Sequence, residues 1–233
     1  MNADTRFEPT AAQRPDAVRS PLWLRVAFAL SILTAVAVVF RRLFALLHPS
    51  TSLPPQLATL DRVFASHATL TLAHILPALA FVVVAPFFFA HRLSQAAWTR
   101  RLLYPLGAVV GITAYGMSVY AEGGWIERSA VLLFNSLFLV SLTRAYLFLR
   151  HGEPLLERRW MTRAVGILLG IATTRPVMAI FFATSSKTHL EPRQFFGIAF
   201  WIGFTLNTIA VELWLRSNRL KSPSGPLPTA LAA

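Results

Sequence analysis

Apolar residues fall in six runs along the chain, at about 22–47, 63–90, 102–120, 129–149, 160–183 and 195–215, and polar residues, arginines above all, collect between them. About 20 mostly apolar residues make a helix that crosses the hydrocarbon core of a bilayer. Each run is of that order, and the segments between runs are too short to house a soluble domain. The pattern predicts an all-α fold: a polytopic integral membrane protein whose residues 22–215 form a six-transmembrane-helix bundle. The first run is the weakest, because its apolar centre spans only Val26 to Phe40; Arg25, Arg41 and Arg42 at its ends would snorkel to the interfaces. Residues 1–21 read as a polar cytoplasmic segment. Asp4, Glu8 and Asp16 among its arginines make it a poor leader for a cleaved signal peptide. Residues 216–233, with Lys221, Ser222, Pro223, Ser224, Gly225 and Pro226, read as a disordered cytoplasmic tail.

Composition sharpens this picture. Of 233 residues, 55% are hydrophobic and 14% charged, and the mean hydropathy is +0.55. A soluble domain carries about 25% charge, and one core of this size could not take in so much apolar surface. A soluble enzyme, a disordered chain and a disulfide scaffold are excluded. With no cysteine, disulfides, thiolate metal sites and thiol catalysis are excluded as well. The formal net charge of +12 would suggest nucleic acid as a partner in a soluble protein. Here most cations flank apolar runs, which points to the lipid bilayer instead and to no nucleic acid. If the N-terminus is cytoplasmic, 14 of the 22 cations fall in cytoplasmic segments and six outside, with Arg144 and Arg175 inside runs. That bias predicts both termini in the cytoplasm. Arg41 and Arg42 run against it.

A charge at the bilayer centre costs roughly 2.5–3.5 kcal/mol on insertion scales, so polar residues within the runs are the best pointers to a site. The second run carries His67, Thr71 and His74 at steps of four and three, one helical stripe, followed by Pro77. The fifth carries Thr173, Thr174, Arg175 and Pro176. A guanidinium stays protonated, so Arg175 must point into the bundle and meet an acceptor, for which the carbonyl of Ala172, freed by Pro176, is one candidate. From the outer ends of their helices His74 and Arg175 lie about 16 and 12 Å deep. The sixth run carries a stripe of Trp201, Thr205, Thr208, Glu212 and Arg216. Asn135 and Asn207 lie in the fourth and sixth runs.

His67, His74, Tyr115, Asn135 and Arg175 share the outer half of the membrane in this topology, where a polar pocket would collect them. With Thr205, Asn207 and Glu212 they are the candidate ligand-binding residues. Each also has a structural reading, as a hydrogen bond between helices. Gly107 with Gly111 and Gly166 with Gly170 are small-residue pairs that predict close helix packing. A two-histidine haem would need imidazoles facing each other from different helices, and only the second run offers histidines at depth. No spacing suits a metal, and no phosphate loop or nucleophile set is present. The expected function is therefore an integral membrane protein without a legible catalytic motif, holding an amphiphilic or anionic small ligand in a polar pocket. The alternatives are a redox protein that binds haem or quinone at His74 and Arg175, and a small-solute transporter lined by the stripe on the sixth run.

The stretch Thr143-Arg144-Ala145-Tyr146, Arg150, Arg158-Arg159-Trp160-Met161-Thr162-Arg163 and Thr174-Arg175 resembles a family of bacterial predicted membrane proteins of unknown function. The resemblance runs from about His74, through Pro86-Phe87, to Asn207 and Glu212. It implies a bacterial inner-membrane location and assigns no reaction. The family pattern carries a histidine before the Arg-Arg-Trp-Met run, where this chain has Glu157, and a His-Arg pair where this chain has Trp98-Thr99-Arg100. If those histidines carry an activity, this chain lacks it or performs it differently. The arrangement is also distantly similar to cytochrome b561-like helical bundles, at the level of fold alone.

Overall fold

A computed structural model describes residues 22–48, 55–90 and 97–219, with eight helices and no strand among them. They are α1 (Leu22–Leu47), α2 (Pro55–Ser66), α3 (Ala68–Phe89), α4 (Ala97–Ser118), α5 (Gly124–Arg150), α6 (Pro154–Leu168), α7 (Gly170–Thr188) and α8 (Pro192–Arg219). Five helical segments are long and apolar enough to cross a membrane: Leu22–Leu47, Ala68–Phe89, Gly124–Arg150, Pro154–Ser185 and Arg193–Ser217. The chain is thus a multi-pass helical bundle. The expected third span is α4, which has 22 residues but whose apolar content is diluted by Thr99, Arg100, Arg101 and its glycines. It packs between α3 and α5.

The bundle is built around α5. Ala130, Phe134, Phe138, Leu142 and Ala145 lie on one side of it and are buried, as expected of residues spaced at three and four along a helix. Phe81 of α3, Leu103 and Val110 of α4, and Met161 and Ala164 of α6 complete this core. The opposite surfaces are apolar too. Leu30, Leu33, Phe40 and Phe44 of α1 and Ile112, Val140, Ile180 and Leu213 elsewhere are exposed, which in a bilayer is the face presented to lipid.

Two helices break where the apolar pattern predicts continuous ones. The run at 63–90 divides at His67, whose backbone (φ −121°, ψ 40°) is not helical. Ser66 donates from its hydroxyl to the Val63 carbonyl at 2.8 Å, and the His67 ring lies 3.3 Å from the same oxygen. These local bonds compete with the helical ladder. Thr71 ties the joint by donating to the Phe64 carbonyl. The second break separates α6 from α7 at Leu169. There Asn207 of α8 donates to the Gly166 carbonyl at 2.9 Å and accepts from Thr173 at 2.8 Å, so one side chain serves both halves of the kink. A side chain inserted into the ladder is a recognised cause of a kink.

The expectation of a disordered tail from Arg216 is corrected at its start: α8 continues to Arg219, helped by Glu212 beside Arg216 one turn on. The rest of that tail, and residues 1–21, lie outside the described residues.

The glycine pairs sit at helix crossings. A Cβ at Gly107 would fall 2.7 Å from Leu142 of α5, and Gly111 faces Leu139 of the same helix. Gly166 and Gly170 face Val211 and Phe204 of α8. The closest approach to backbone on this side is Gly203, where a Cβ would meet Thr174 Cγ2 at 2.6 Å and its amide nitrogen at 2.7 Å. Since backbone cannot swing aside as a side chain can, Gly203→Val should destabilise the protein by about 1–3 kcal/mol. Thermal unfolding in detergent measures this, and an unchanged midpoint would mean that α7 and α8 can separate freely.

Candidate functional site

A cavity of about 490 Å³ lies at the end of the bundle that holds the C-terminal ends of α1 and α2 and the turn from α4 into α5. That volume is within the range of small-ligand sites. Its wall is mostly apolar, with Phe134 and Phe138 of α5, Phe182 of α7 and Phe196, Phe200 and Phe204 of α8. Set into this wall are Arg41, Arg42, His67, His74, Glu122, Glu127, Asn135 and Arg175. Four of the eight candidate residues, His67, His74, Asn135 and Arg175, therefore meet at one cavity.

Arg175 has the most unusual surroundings. Its Nε is buried and has no hydrogen-bond partner among the described residues. Among the same residues Nη1 approaches the thioether of Met178 at 3.8 Å, and the expected carbonyl acceptor, Ala172 or another, is not a partner. The Arg175 Nε is therefore without the acceptor, among these residues, that normally offsets burial of a polar atom. Arg41, Arg42 and Glu127 are the other charges whose fields reach it.

The remaining groups are held by their neighbours. Nδ1 of His74 is 3.0 Å from Thr113 Oγ. The Thr113 hydroxyl also lies within reach of the carbonyls of Val109 and Val110 on its own helix, and which partner donates in the His74–Thr113 pair depends on the imidazole tautomer. The His67 ring lies against Tyr120, centroids 3.6 Å apart and planes tilted by 32°. Asn135 donates to the Gly111 carbonyl at 2.8 Å, joining α5 to α4. Arg41 and Arg42 both reach Asp61 of α2, and the Arg42 guanidinium lies over the Phe64 ring at 3.7 Å. Glu127 accepts from the Gly123 amide at 2.6 Å, which fixes its carboxylate at the start of α5.

The other four candidates are elsewhere. Tyr115 bonds Ser136 across α4 and α5 at 2.8 Å, away from the cavity. Asn207 serves the kink at Leu169. Thr205 is not on the cavity wall. Glu212 receives two bonds from Arg163, at 2.9 and 3.2 Å, and a weaker approach from Arg216. In the stripe on α8, Trp201 donates to α5 and Glu212 pairs with α6. The cavity face of α8 is made by its phenylalanines instead.

Sequence reasoning missed two features. Glu122 and Glu127 fall in the turn between runs, where a carboxylate is unremarkable. Glu157 also falls between runs, yet it is 1% exposed. Arg100 binds it through two nitrogens, at 2.8 and 2.9 Å, and Tyr104 donates to it at 3.0 Å. The two places where this chain departs from the expected histidines, at Glu157 and around Arg100, are therefore one ion pair joining α6 to α4. Nearby, Trp160 lies between Arg144 and Arg163, and Arg158 donates to the Phe89 carbonyl.

A kinked bundle of apolar helices, with a phenylalanine-lined cavity at one end, defines a multi-pass membrane protein. Residues 71–215 match the family described as "Predicted membrane protein (DUF2306)", and the chain belongs to that family. No curated protein and no solved structure matches, so the likeness to cytochrome b561-like bundles has no support. The matched region begins within α3. Arg41, Arg42 and His67 of the cavity wall come from residues before it.

Proposed function

We propose that this protein is a multi-pass protein of a bacterial inner membrane, with both termini cytoplasmic, that binds a membrane-soluble amphiphile in the cavity at its Arg42 end. The observation that carries this reading is Arg175, whose Nε is buried without a partner among the described residues and which lies on the wall of a phenylalanine-lined cavity. An anionic or carbonyl-bearing polar group would provide the missing acceptor, and the phenylalanines would cover the tail. The redox and transport alternatives have no comparable support. Two residues of the polar stripe that was to line a transport path, Trp201 and Glu212, are engaged by α5 and α6.

The site is tested by native mass spectrometry of protein released from its own membranes. Wild type should carry an amphiphile adduct that survives mild detergent removal. Arg175→Gln, which keeps the side chain polar and removes its charge, should lower occupancy at least tenfold. Equal occupancy in both proteins would refute the reading.

The orientation has a separate test. Arg41 and Arg42, the two cations that oppose the loop bias, are engaged by Asp61, which leaves the remaining cations more strongly one-sided. Reporter fusions at the C-terminus should act as cytoplasmic. A periplasmic signal there would overturn the proposed topology.

A further inference from the structure

The cavity carries charge of both signs at one end. Arg41, Arg42 and Arg175 contribute three cations to its wall, and Asp61 neutralises one charge of the Arg41 and Arg42 pair. Glu122 and Glu127 supply two carboxylates. Among the described residues neither of these is ion-paired with a cation, and Glu127 uses only one oxygen, on the Gly123 amide. The formal charges thus cancel. In a low-dielectric site a purely anionic ligand would satisfy Arg175 and leave these carboxylates without a counter-charge.

The turn that carries the carboxylates is also locked in place. A Cβ on Gly123 would fall 2.7 Å from the amide nitrogen of Gly197, and one on Gly197 would fall 2.7 Å from that of Glu127. Backbones this close fix the start of α5 against α8, so Glu127 is presented rigidly rather than as a mobile loop charge.

We infer that the polar end of the ligand is zwitterionic: an anionic group, phosphate or carboxylate, that meets Arg175, and a protonated primary amine that meets Glu122 and Glu127. The inference rests on the reading of the cavity as an amphiphile site and adds the chemical class. A primary ammonium brings three donors to these two carboxylates, whereas a quaternary amine brings none.

The test is a competition in detergent between lysophosphatidylethanolamine, lysophosphatidylglycerol and lysophosphatidylcholine of equal chain length, read by native mass spectrometry. Wild type should take the ethanolamine lipid at least tenfold over either of the others. Glu122→Gln/Glu127→Gln should bind lipid still and lose that preference. Arg175→Gln should lose all three. Equal uptake of the three by wild type, or an unchanged preference in the double glutamine variant, would overturn the zwitterion and leave amphiphile binding standing. Uptake of none would overturn both. Should the double variant fail to fold, the wild-type ratio of ethanolamine to choline lipid decides alone.

Discussion

Glu157→Ala should lower the unfolding free energy by about 3–5 kcal/mol, the largest stability loss we expect from any single truncation. The carboxylate is 1% exposed and Arg100 keeps 24% of its side-chain surface. Truncation would leave Arg100 and the Tyr104 hydroxyl without their acceptor, and breaking a buried pair on one side costs that much. Replacing both partners by apolar residues should be far milder, because no charge is then stranded. Arg100→Met combined with Glu157→Met should recover most of the loss, as double-mutant analysis of such pairs leads one to expect. Thermal unfolding in one detergent decides it. A single truncation within about 0.5 kcal/mol of wild type would show that water reaches the pair.

Arg175→Met should act in the opposite direction on stability and abolish binding. The wild-type protein keeps a guanidinium whose Nε is buried without a partner among the described residues and whose Nη1 meets the Met178 thioether. An unsatisfied buried polar group costs about 1–3 kcal/mol, so the variant, stripped of ligand, should be more stable by about 2 kcal/mol. Loss of stability where function is gained is the usual mark of a site. Added amphiphile should raise the unfolding midpoint of wild type, through mass action on the folded state, and leave that of the variant unmoved. If Arg175→Met instead unfolds the protein more easily with or without ligand, the arginine is a structural clamp.

Much of the architecture was legible from the apolar runs because lipid-facing helices must be apolar throughout. The breaks at His67 and Leu169 were not. The first depends on Ser66 and His67 side chains competing for one carbonyl, the second on Asn207 reaching from a helix 41 residues away from Gly166. Arg175 and His74 stood out because each is polar within an apolar run, and both line the cavity. Depth alone also nominated Tyr115, which turns to Ser136 instead, since depth says nothing about which way a helix faces. Glu157 stood out only as a departure from the family pattern, and its burial was not legible, for the converse reason. Its burial is made by Arg100, 57 residues earlier, and nothing within its own segment signals that. Glu212 was found as a paired carboxylate, but its stronger partner is Arg163 on α6 rather than Arg216 one turn on.

The central claim is that the Arg175 cavity is a ligand site. An experimental density map of the protein in nanodiscs made from its own membrane lipids tests it most directly. The account predicts elongated density among Phe134, Phe182, Phe200 and Phe204, with its polar end within hydrogen-bonding distance of the Arg175 guanidinium. A cavity closed by side chains, or holding only water against Arg175, would contradict it.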